Sequence, residues 1–544
     1  MTDPHADLVF TGGPVHCLDA ARSQSSALAV RDGRIVALGV GATAAVGPKT
    51  EIVDLAGRAL LPGFQDAHVH AVFGGLELGQ CDLSGTTDLG EYRRLIKVYA
   101  DAHPQVEWIL GGGWSMESFP GGVPTAELLD DVTGGRPAFF FNRDHHGAWV
   151  NSAALRRAGI DRGTPDPAHG VINRDADGHP VGALQEGAVS LVADIAPKAT
   201  AADRLTGLLR AQELLHSLGI TAWQDAMLSA TNGYPDVTDA YCTAAERDLL
   251  TADVVGALWW DRDRGAEQIP ELTARRDLLR IGRLDASTVK IMQDGVAENF
   301  TAGMTVPYRD SCGHATANRG LSFVDPLKLR EYVTALDALD FQVHFHALGD
   351  RAVREALDAI AAARAANGFR DTRPHLAHLQ VVHPSDVARF AQLGATANLQ
   401  ALWAAHEPQM DELTIPFLGG GLAGHQYPFG DLHRAGARLA AGSDWPVSSP
   451  NPLLGIHTAV NRRTLGSTAP AFRPGQSIDA HTAFAAYTSG SAYVNRRDDT
   501  GTLAVGHRAD LVVLDRDPFA VAVDEIGRCT VDLTFVDGRV VFSR

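Results

Sequence analysis

Cysteine is scarce in this sequence, and its placement excludes two structural roles. The 544 residues contain five cysteines, Cys17, Cys81, Cys242, Cys312 and Cys529. They are odd in number and widely separated, and none belongs to a C-x-x-C pair. This distribution excludes a disulfide framework and a cysteine-ligated zinc site, and it predicts free thiols in a reducing compartment.

A surplus of positive charge and long apolar runs are also lacking. The formal net charge is -18 and no basic run occurs, which argues against a general nucleic-acid-binding protein, because phosphate binding needs clustered lysine and arginine. No apolar run approaches the roughly 20 residues of a transmembrane helix, and residues 1–10 are too polar and acidic for a signal peptide. We therefore expect no nucleic-acid or membrane partner, and by default a cytoplasmic location.

Two common catalytic motifs are missing as well. The chain has no G-x-S-x-G nucleophile elbow and no Walker lysine motif, so serine-hydrolase and P-loop functions lack support. The stretch Gly39-Val-Gly-Ala-Thr-Ala44 fits a dinucleotide-binding fingerprint. However, no acidic ribose partner follows it in a βαβ unit, because the chain runs directly into residues 51–54 and the next strand. We interpret the stretch as a turn between strands.

What the sequence does contain begins with its two β-rich ends. Short β-rich segments separated by Gly or Asp turns occupy 7–11, 27–30, 34–38 and 51–54. Short β-rich segments of the same kind occur again at 511–514, 531–536 and 539–542. Because the two ends resemble each other and differ from the middle, we expect them to form one small β-sandwich. It would comprise residues 1–61 and 481–544, with residues 62–480 inserted in it.

Between the ends, short apolar strands alternate with helical patterns. Buried strands are predicted at 138–142, 221–225, 288–292, 342–346, 375–380, 395–398 and 437–441. Helical patterns include 326–340, 352–366 and 384–393, whereas 75–215 is irregular and is expected to contain insertions. Such alternation is typical of a parallel α/β fold.

A series of residues that commonly bind metals lies at the ends of these strands. His68 and His70 are two residues apart, so on a strand they point to the same side and can hold one metal ion. The alternative is a pair of ordinary core or surface histidines. Lys290 lies within an apolar strand, where a charged amine is costly to bury. Either it forms a salt bridge with a neighbour such as Asp294, or it is a neutral amine that has captured carbon dioxide as a carbamate, which can bridge two cations.

Further donors follow along the chain. His344 and His346 face the same way, and His346 is nearer the C-terminal end of its strand, where barrel active sites lie. His375 and His378 are three residues apart and need not share a face. Asp444 ends an apolar, glycine-containing strand, which is typical of a catalytic acid or base, although a helix N-cap is the alternative. The ordered set of His-x-His, Lys, His, His and Asp is hard to reproduce by chance.

These donors belong to longer motifs that run along nearly the whole chain. They are Leu61-Pro-Gly-Phe-Gln-Asp-Ala-His68-Val-His70, Asp144-His-His146-Gly-Ala-Trp149-Val-Asn151-Ser, Lys290-Ile-Met-Gln-Asp294-Gly295, His346-Ala-Leu-Gly349-Asp350-Arg351-Ala, His378-Leu-Gln380, Gly442-Ser-Asp444-Trp-Pro446 and Gly506-His-Arg-Ala509-Asp510-Leu511. In these motifs the chain resembles the amidohydrolase superfamily, and within it the amidohydrolase-3 branch of YtcJ-like proteins and N-substituted formamide deformylases. The resemblance implies a (β/α)8 TIM barrel inserted in the terminal β-sandwich.

The resemblance also implies a role for each donor. The family pattern has a strand-1 histidine pair, a bridging carboxylated lysine after strand 4, strand-5 and strand-6 histidines on a second metal, and a strand-8 aspartate. The matching residues are, in that order, His68, His70, Lys290, His346, His378 and Asp444. The implied cofactors are two divalent metal ions, expected to be zinc, and carbon dioxide held as a carbamate on Lys290. Asp444 is the implied catalytic residue, which takes the proton of metal-activated hydroxide and passes it to the leaving nitrogen.

The expected function is hydrolysis of an amide-type carbon–nitrogen bond other than a peptide bond, in an N-substituted formamide or another N-acyl amine. A deaminase or cyclic-amide hydrolase of the same superfamily and a non-catalytic assembly protein are the alternatives. Superfamily deaminases usually use one metal and lack the bridging lysine, so Lys290 counts against them. We expect a small-molecule substrate and a homo-oligomer, most simply a dimer. The expected substrate-binding residues are Trp114, His146, Trp149, Glu186, Gln293, Asp294 and Trp445.

Overall fold

The computed structural model describes residues 5–230 and 235–544, and a parallel barrel lies at its centre. Within these residues, eight parallel strands follow one another around the barrel in chain order. They are β1 Phe64–Val69, β2 Ile220–Leu228, β3 Asp253–Trp259, β4 Leu284–Met292, β5 Gln342–Ala347, β6 His375–His378, β7 Thr396–Leu399 and β8 Arg438–Ala441. Beyond the end of β8, the backbone N–H of Asp444 donates to the carbonyl of His68 at 2.8 Å, which links the last strand to the first.

Helices cover the outside of the barrel because each has an apolar face that packs against the strands. Helix Asp350–Asn367, for example, buries Val353, Leu357 and Ile360 at helical spacing. The main helices are Ala71–Glu77, Ala201–Ser217, Thr238–Glu246, Ile269–Leu278, Pro326–Ala338, Asp350–Asn367, Pro384–Leu393, Phe429–Arg434, Pro452–Asn461, Ala480–Ala485 and Ser491–Val494. The helices predicted at 326–340, 352–366 and 384–393 are confirmed to within two residues at each end.

Both ends of the chain contribute to a pair of β-sheets beside the barrel. Strand Ala59–Pro62 pairs antiparallel with Leu511–Leu514, so residues from the two ends share one sheet. That sheet contains Arg539–Ser543, Val531–Val536, Leu511–Leu514, Ala59–Pro62, Val15–His16 and Gln24–Ser25, and the other contains Arg34–Leu38, Leu28–Arg31, Leu8–Thr11 and Glu51–Asp54. Phe10 and Phe535 meet between the sheets with ring centroids 5.2 Å apart. The division into domains at 61/62 and 480/481 stays a prediction, and the segment after Gly39 is a short helix, Val40–Ala44, rather than a plain turn.

A separate sheet is formed by residues that lie between β1 and β2 in the sequence, within the region that was expected to contain insertions. It contains Gly170–Arg174, Pro180–Glu186, Gly147–Val150, Ala138–Asn142, Ile109–Trp114 and Cys81–Asp82, and helices Leu89–Ala102 and Ser152–Ala158 accompany it. The strand predicted at 138–142 therefore exists but belongs to this inserted sheet. The barrel instead contains Asp253–Trp259, which the strand pattern did not predict.

Two sequence expectations can be compared with the described chain. None of its helices is both long and apolar enough to cross a membrane. All five cysteines are free in the described residues. The first four residues of the segment examined for a signal peptide, 1–4, lie outside them.

Candidate metal centre and substrate cavity

A cavity of about 630 Å³ opens at the C-terminal end of the barrel, and the six predicted metal ligands all line it. They reach it because residues two apart on a strand point to the same side, and the inward side of a barrel strand faces the axis. β1, β4, β5, β6 and the loop after β8 thus each contribute side chains. The ligand series of the sequence is brought together in space: His68, His70, Lys290, His346, His378 and Asp444.

Asp444 lies at the centre of this group. Its Oδ1 is 3.1 Å from Nε2 of His68 and 3.1 Å from Nε2 of His70. One donor atom from each of these three residues lies within 4.8 Å of the others, a spacing that suits ligands of one ion. His378 approaches the same carboxylate from the other side, with Nδ1 3.9 Å from Oδ2.

Lys290 lies next to this cluster and is almost fully buried, with 3% of its surface exposed. Its Nζ is 3.5 Å from Nε2 of His68 and 3.3 Å from Nε2 of His344. Burial lowers the pKa of Lys290 to about 7, and the charge of Asp444 only partly opposes that effect. The alternative of a salt bridge to Asp294 is wrong, because Asp294 accepts backbone N–H groups of the segments 303 and 348–349 instead.

The remaining two predicted ligands lie side by side. The ring centroids of His346 and His378 are 4.5 Å apart. Trp403 stacks on His378 with centroids 5.3 Å apart and an interplanar angle of 11°, which fixes the orientation of that imidazole. On the other side, Nδ1 of His346 lies 3.3 Å from Oδ1 of Asp294.

Burial favours the neutral form of three of the histidine donors. Burial lowers the pKa of His68 to about 3 and holds the pKa of His346 and His378 well below the usual range, so these imidazoles are neutral. Burial raises the pKa of Asp444, but the neighbouring His68 and His70 outweigh it and hold that pKa well below its ordinary value. Neutral imidazoles around an ionised carboxylate are the form in which these side chains bind a divalent cation.

Several ring nitrogens of the group also lack a hydrogen bond, although two of them lie near the carboxylates of Asp294 and Asp444. Nδ1 of His70, His346 and His378 is buried and forms no hydrogen bond within residues 5–230 and 235–544. Buried polar atoms normally have partners, and an exception calls for an explanation such as an ion. The residues therefore fit a metal centre in both donor chemistry and unsatisfied atoms.

The backbone at the site adopts uncommon conformations. His378 has φ 79° and Asp444 has φ 57°, both in the left-handed region that non-glycine residues seldom occupy. Such strain is typical of functional sites, where the surrounding structure holds it. Gly442 permits the approach of β8 to β1, because a Cβ at this position would lie 2.6 Å from the backbone nitrogen of His68. Asp66 joins the same two strands by accepting the N–H groups of His68 and Ser443.

Three of the seven predicted substrate-binding residues line the cavity: His146, Glu186 and Trp445. Nδ1 of His146 lies 3.1 Å from both carboxylate oxygens of Glu186, and Thr301 Oγ1 donates to Oε1 of Glu186 at 2.9 Å. Burial lowers the pKa of His146, but the charge of Glu186 outweighs this and raises it to about 9. The cavity therefore contains a buried imidazolium–carboxylate pair next to the donor cluster.

The other four predicted substrate-binding residues do not line the cavity. Trp114 and Trp149 belong to the core of the inserted sheet, where their indole N–H groups donate to the carbonyls of Phe140 and Thr125. Gln293 is buried and donates to the carbonyl of Val324, and Asp294 is likewise buried among backbone N–H groups. For these four residues the expected position in the cavity lining is not observed, because aromatic and polar side chains near a motif can equally serve the core.

His344 was expected to face the same way as His346, and its Nε2 lies 3.0 Å from Nδ1 of His68, outside the cavity lining. Sequence reasoning missed several residues that do line the cavity. Arg143, Glu298, Trp403 and Glu407 line the cavity from loops, and no motif marked them. His375 packs against His344 and lies 3.0 Å from Oε1 of Gln224, deeper in the barrel than the donor cluster.

Comparison with known proteins agrees with this geometry. A family model described as the Amidohydrolase family matches residues 51–542. The chain is 31% identical over 463 residues to Protein LONG AFTER FAR-RED 3 of Arabidopsis thaliana. This alignment covers 82% of this chain and 76% of that protein. It is 28% identical to the putative amidohydrolase YtcJ of Bacillus subtilis (strain 168), over 98% of this chain and 99% of the relative.

Two more comparisons concern chemistry and fold. The chain is 27% identical to N-substituted formamide deformylase of Arthrobacter pascens, over 99% of this chain and 98% of that protein. Among solved structures, an uncharacterised metal-dependent hydrolase from Pyrococcus horikoshii OT3 matches with a TM-score of 0.74 and 24% identity, over 95% of this chain and 99% of the other. At that identity the structural match supports the shared fold alone.

Proposed function

Since this chain belongs to the amidohydrolase family of metal-dependent hydrolases, we propose that it cleaves the amide-type carbon–nitrogen bond of an N-acyl amine, and specifically of an N-substituted formamide. The observation that carries the proposal is the convergence of His68, His70 and His378 on Asp444, with a buried lysine beside them. The formamide is chosen because a relative that aligns over nearly the full chain bears the name N-substituted formamide deformylase.

The residues divide into two ligand sets in this proposal. His68, His70 and Asp444 would hold one divalent cation, and His346 and His378 would hold a second, with Lys290 beside His68. Zinc is the expected metal because imidazole nitrogen and carboxylate oxygen are its usual ligands. Cations held there supply Lewis acidity, which lowers the pKa of water and polarises a carbonyl oxygen.

Lys290 contributes through its amine. The described residues place no carboxylate in an ion pair with it, so a permanently charged ammonium would be only partly compensated, by the charge of Asp444, in this buried position. In the proposal, the neutral amine attacks the carbon of carbon dioxide, an N–C bond forms, and the nitrogen releases a proton to solvent. The resulting carbamate would supply anionic oxygen donors to cations held by these residues.

Asp444 moves the proton of the reaction. It lies between the histidine pair of β1 and His378, where its carboxylate can accept a proton from the attacking water and return it to the leaving nitrogen. His68 and His70 orient that carboxylate, and the loop after β8 holds it in place through Ser443 and the N–H of Asp444. One carboxylate thus serves first as base and then as acid.

The proposal is tested by metal analysis together with a substrate panel. About two ions per chain are expected, together with hydrolysis of N-substituted formamides in preference to longer N-acyl amines, hydantoins and lactams. A chelator should abolish turnover, and zinc should restore it. One ion per chain with release of ammonia from an aminated heterocycle would favour a deaminase instead. A protein without bound metal or turnover would favour a non-catalytic role.

We also propose that the protein forms a dimer, and analytical sedimentation of the purified protein tests this.

A further inference from the structure

Most charged side chains that line the cavity have a partner within the protein. Glu186 pairs with His146, and Glu298 accepts a hydrogen bond from Thr414. Asp144 accepts the backbone N–H of His146 at 2.8 Å. These carboxylates are therefore occupied in holding the loops around the cavity, and they are poor candidates for contacts with a ligand.

Arg143 lines the same cavity but, unlike these carboxylates, its side chain has no partner among the described residues. It is half-buried, and its guanidinium forms no hydrogen bond or ion pair with any other residue in the described part of the chain. Its backbone is firmly held, because its N–H donates to the carbonyl of Trp114 at 2.8 Å and His145 N–H closes a turn onto Asn142 at 3.1 Å. A fixed backbone thus carries an unpaired cation into the substrate cavity.

The carboxylate that interacts electrostatically with Arg143 is that of Glu407, which lines the cavity from the loop after β7. Burial raises the pKa of Glu407, and the charge of Arg143 partly offsets that rise. The two groups nevertheless form no ion pair, so they face a shared space without closing it. Guanidinium stays charged at any physiological pH and presents a planar fork that matches a carboxylate. The space at Arg143 thus suits an anionic ligand group.

We infer that Arg143 binds a carboxylate of the substrate, and that the substrate class is an N-acyl amino acid or a related amine bearing a carboxylate. This inference rests on the proposed function, because it places the scissile bond at the donor cluster. A formyl group carries no further substituent, so the carboxylate belongs to the amine portion. The apolar cavity residues Trp403, Met410 and Trp445 favour an aromatic side chain on that portion.

A matched pair of substrates tests the inference. N-formylphenylalanine and N-formylphenylalaninamide, in both enantiomers, differ only in a carboxylate against a neutral amide. The metal-loaded wild type should favour the acid in kcat/KM by roughly 10- to 100-fold, the range expected for hydrogen bonds to a charged group. Arg143→Gln should bring this ratio close to one, and Arg143→Lys should retain part of it.

The control is Arg94→Gln, which removes a cation from the exposed helix Leu89–Ala102 of the same insertion. It should keep the wild-type ratio. Metal content and circular dichroism establish that each variant is folded and loaded. A wild-type enzyme that hydrolyses the amide as well as the acid would overturn the inference, as would an Arg143→Gln variant that keeps the preference for the acid.

A binding measurement separates this inference from the proposed function. If no N-formyl amine is hydrolysed, the proposed function fails, and calorimetry with 3-phenylpropionate and its neutral amide decides the role of Arg143. A carboxylate can also bind directly to metal ions, but such binding would be the same in wild type and Arg143→Gln. Binding that weakens at least tenfold in the variant supports the inference, and equal binding overturns it.

Discussion

Two buried clusters of ionisable side chains lie at opposite ends of the barrel, and they are composed differently. At the C-terminal end, which contains His68, His70 and Asp444, the buried Nδ1 atoms of His70, His346 and His378 have no hydrogen-bond partner among the described residues. At the N-terminal end, Asp253 begins β3 and forms an ion pair with Arg508, while Arg283 approaches it at 3.4 Å. The second cluster also joins the barrel to the sheets formed by the chain ends.

The difference is one of charge balance. Arg508 also donates from Nε to Asp537 at 2.8 Å, so carboxylates and guanidinium groups alternate and satisfy one another. Such a cluster has no need of a ligand, because each buried charge has its counterpart in the chain. The cluster at the other end has an excess of neutral donors over carboxylates, which a cation would balance. Burial alone therefore does not mark a functional site, whereas burial with unmet donor capacity does.

His68→Asn should break the metal-binding cluster most completely. The substitution removes a ligand that contacts both Asp444 and Lys290, so bound metal and turnover should disappear together. Loss of a partner outside the ligand shell typically costs roughly 10–100-fold, and loss of a ligand should exceed that. Metal analysis and turnover on the same sample measure the effect.

The exposed His433, on helix Phe429–Arg434, provides the control for that variant. His433→Asn should leave both quantities at wild-type values. If His68→Asn retained full metal and turnover, the cluster at the C-terminal end would be structural, and its contrast with the Asp253 cluster would disappear.

Lys290→Ala should have the next largest effect. It removes the only lysine that lines the cavity among the described residues, and with it the proposed bridging carbamate, so most metal and turnover should be lost. Short carboxylic acids such as acetate should restore part of the activity by occupying the space with an anionic oxygen pair. Activity is measured against acid concentration, with the exposed Lys328→Ala as control. Full metal and rate in Lys290→Ala would make the lysine structural.

Asp444→Asn should separate catalysis from ligation. Asparagine keeps the size and one oxygen but cannot accept a proton, so most metal should remain while turnover falls by about 10²–10⁴-fold. Paired measurement of metal and kcat distinguishes this outcome from the joint loss expected of His68→Asn. Wild-type turnover in Asp444→Asn would exclude the proton-transfer role.

The sequence allowed the donor cluster to be predicted but not its surroundings. The grouping of these side chains could be predicted because alternation on strands and the order of His, Lys and Asp are local features. Strand β3, Asp253–Trp259, was missed since it carries no predicted ligand and contains Gly256 in its middle. A strand at 138–142 was predicted correctly, but local pattern does not specify which sheet a strand joins.

The same limit explains why some expected residues lie outside the cavity lining and others inside it were not expected. Trp114 and Trp149 were expected to contact substrate, yet large aromatic side chains fill cores as readily as cavities. Arg143 was overlooked because the absence of a partner is a property of the folded chain. Whether a charge is paired depends on residues distant in sequence, as in the pairing of Asp253 with Arg508, 255 residues away.

Asp253→Asn should have the smallest effect on turnover, and it tests the comparison of the two clusters at the charge-balanced one. It removes the carboxylate that Arg508, Arg283 and Arg497 surround, so like charges are left together in a partly buried position. The free energy of unfolding should fall by about 2–4 kcal/mol, somewhat less than a fully buried pair because the arginines retain some contact with water. Chemical denaturation of the metal-loaded protein measures the change.

Turnover of folded Asp253→Asn should stay within about twofold of wild type, because the seven residues of β3 place Asp253 about 20 Å from the cavity end of that strand. Asp277→Asn, which removes an exposed partner of Arg276, is the matched control and should change neither stability nor turnover measurably. A loss of metal in Asp253→Asn without a loss of stability would mean that the two clusters are coupled through the barrel. The separation of a charge-balanced structural cluster from a ligand-binding one would then be incorrect for this protein.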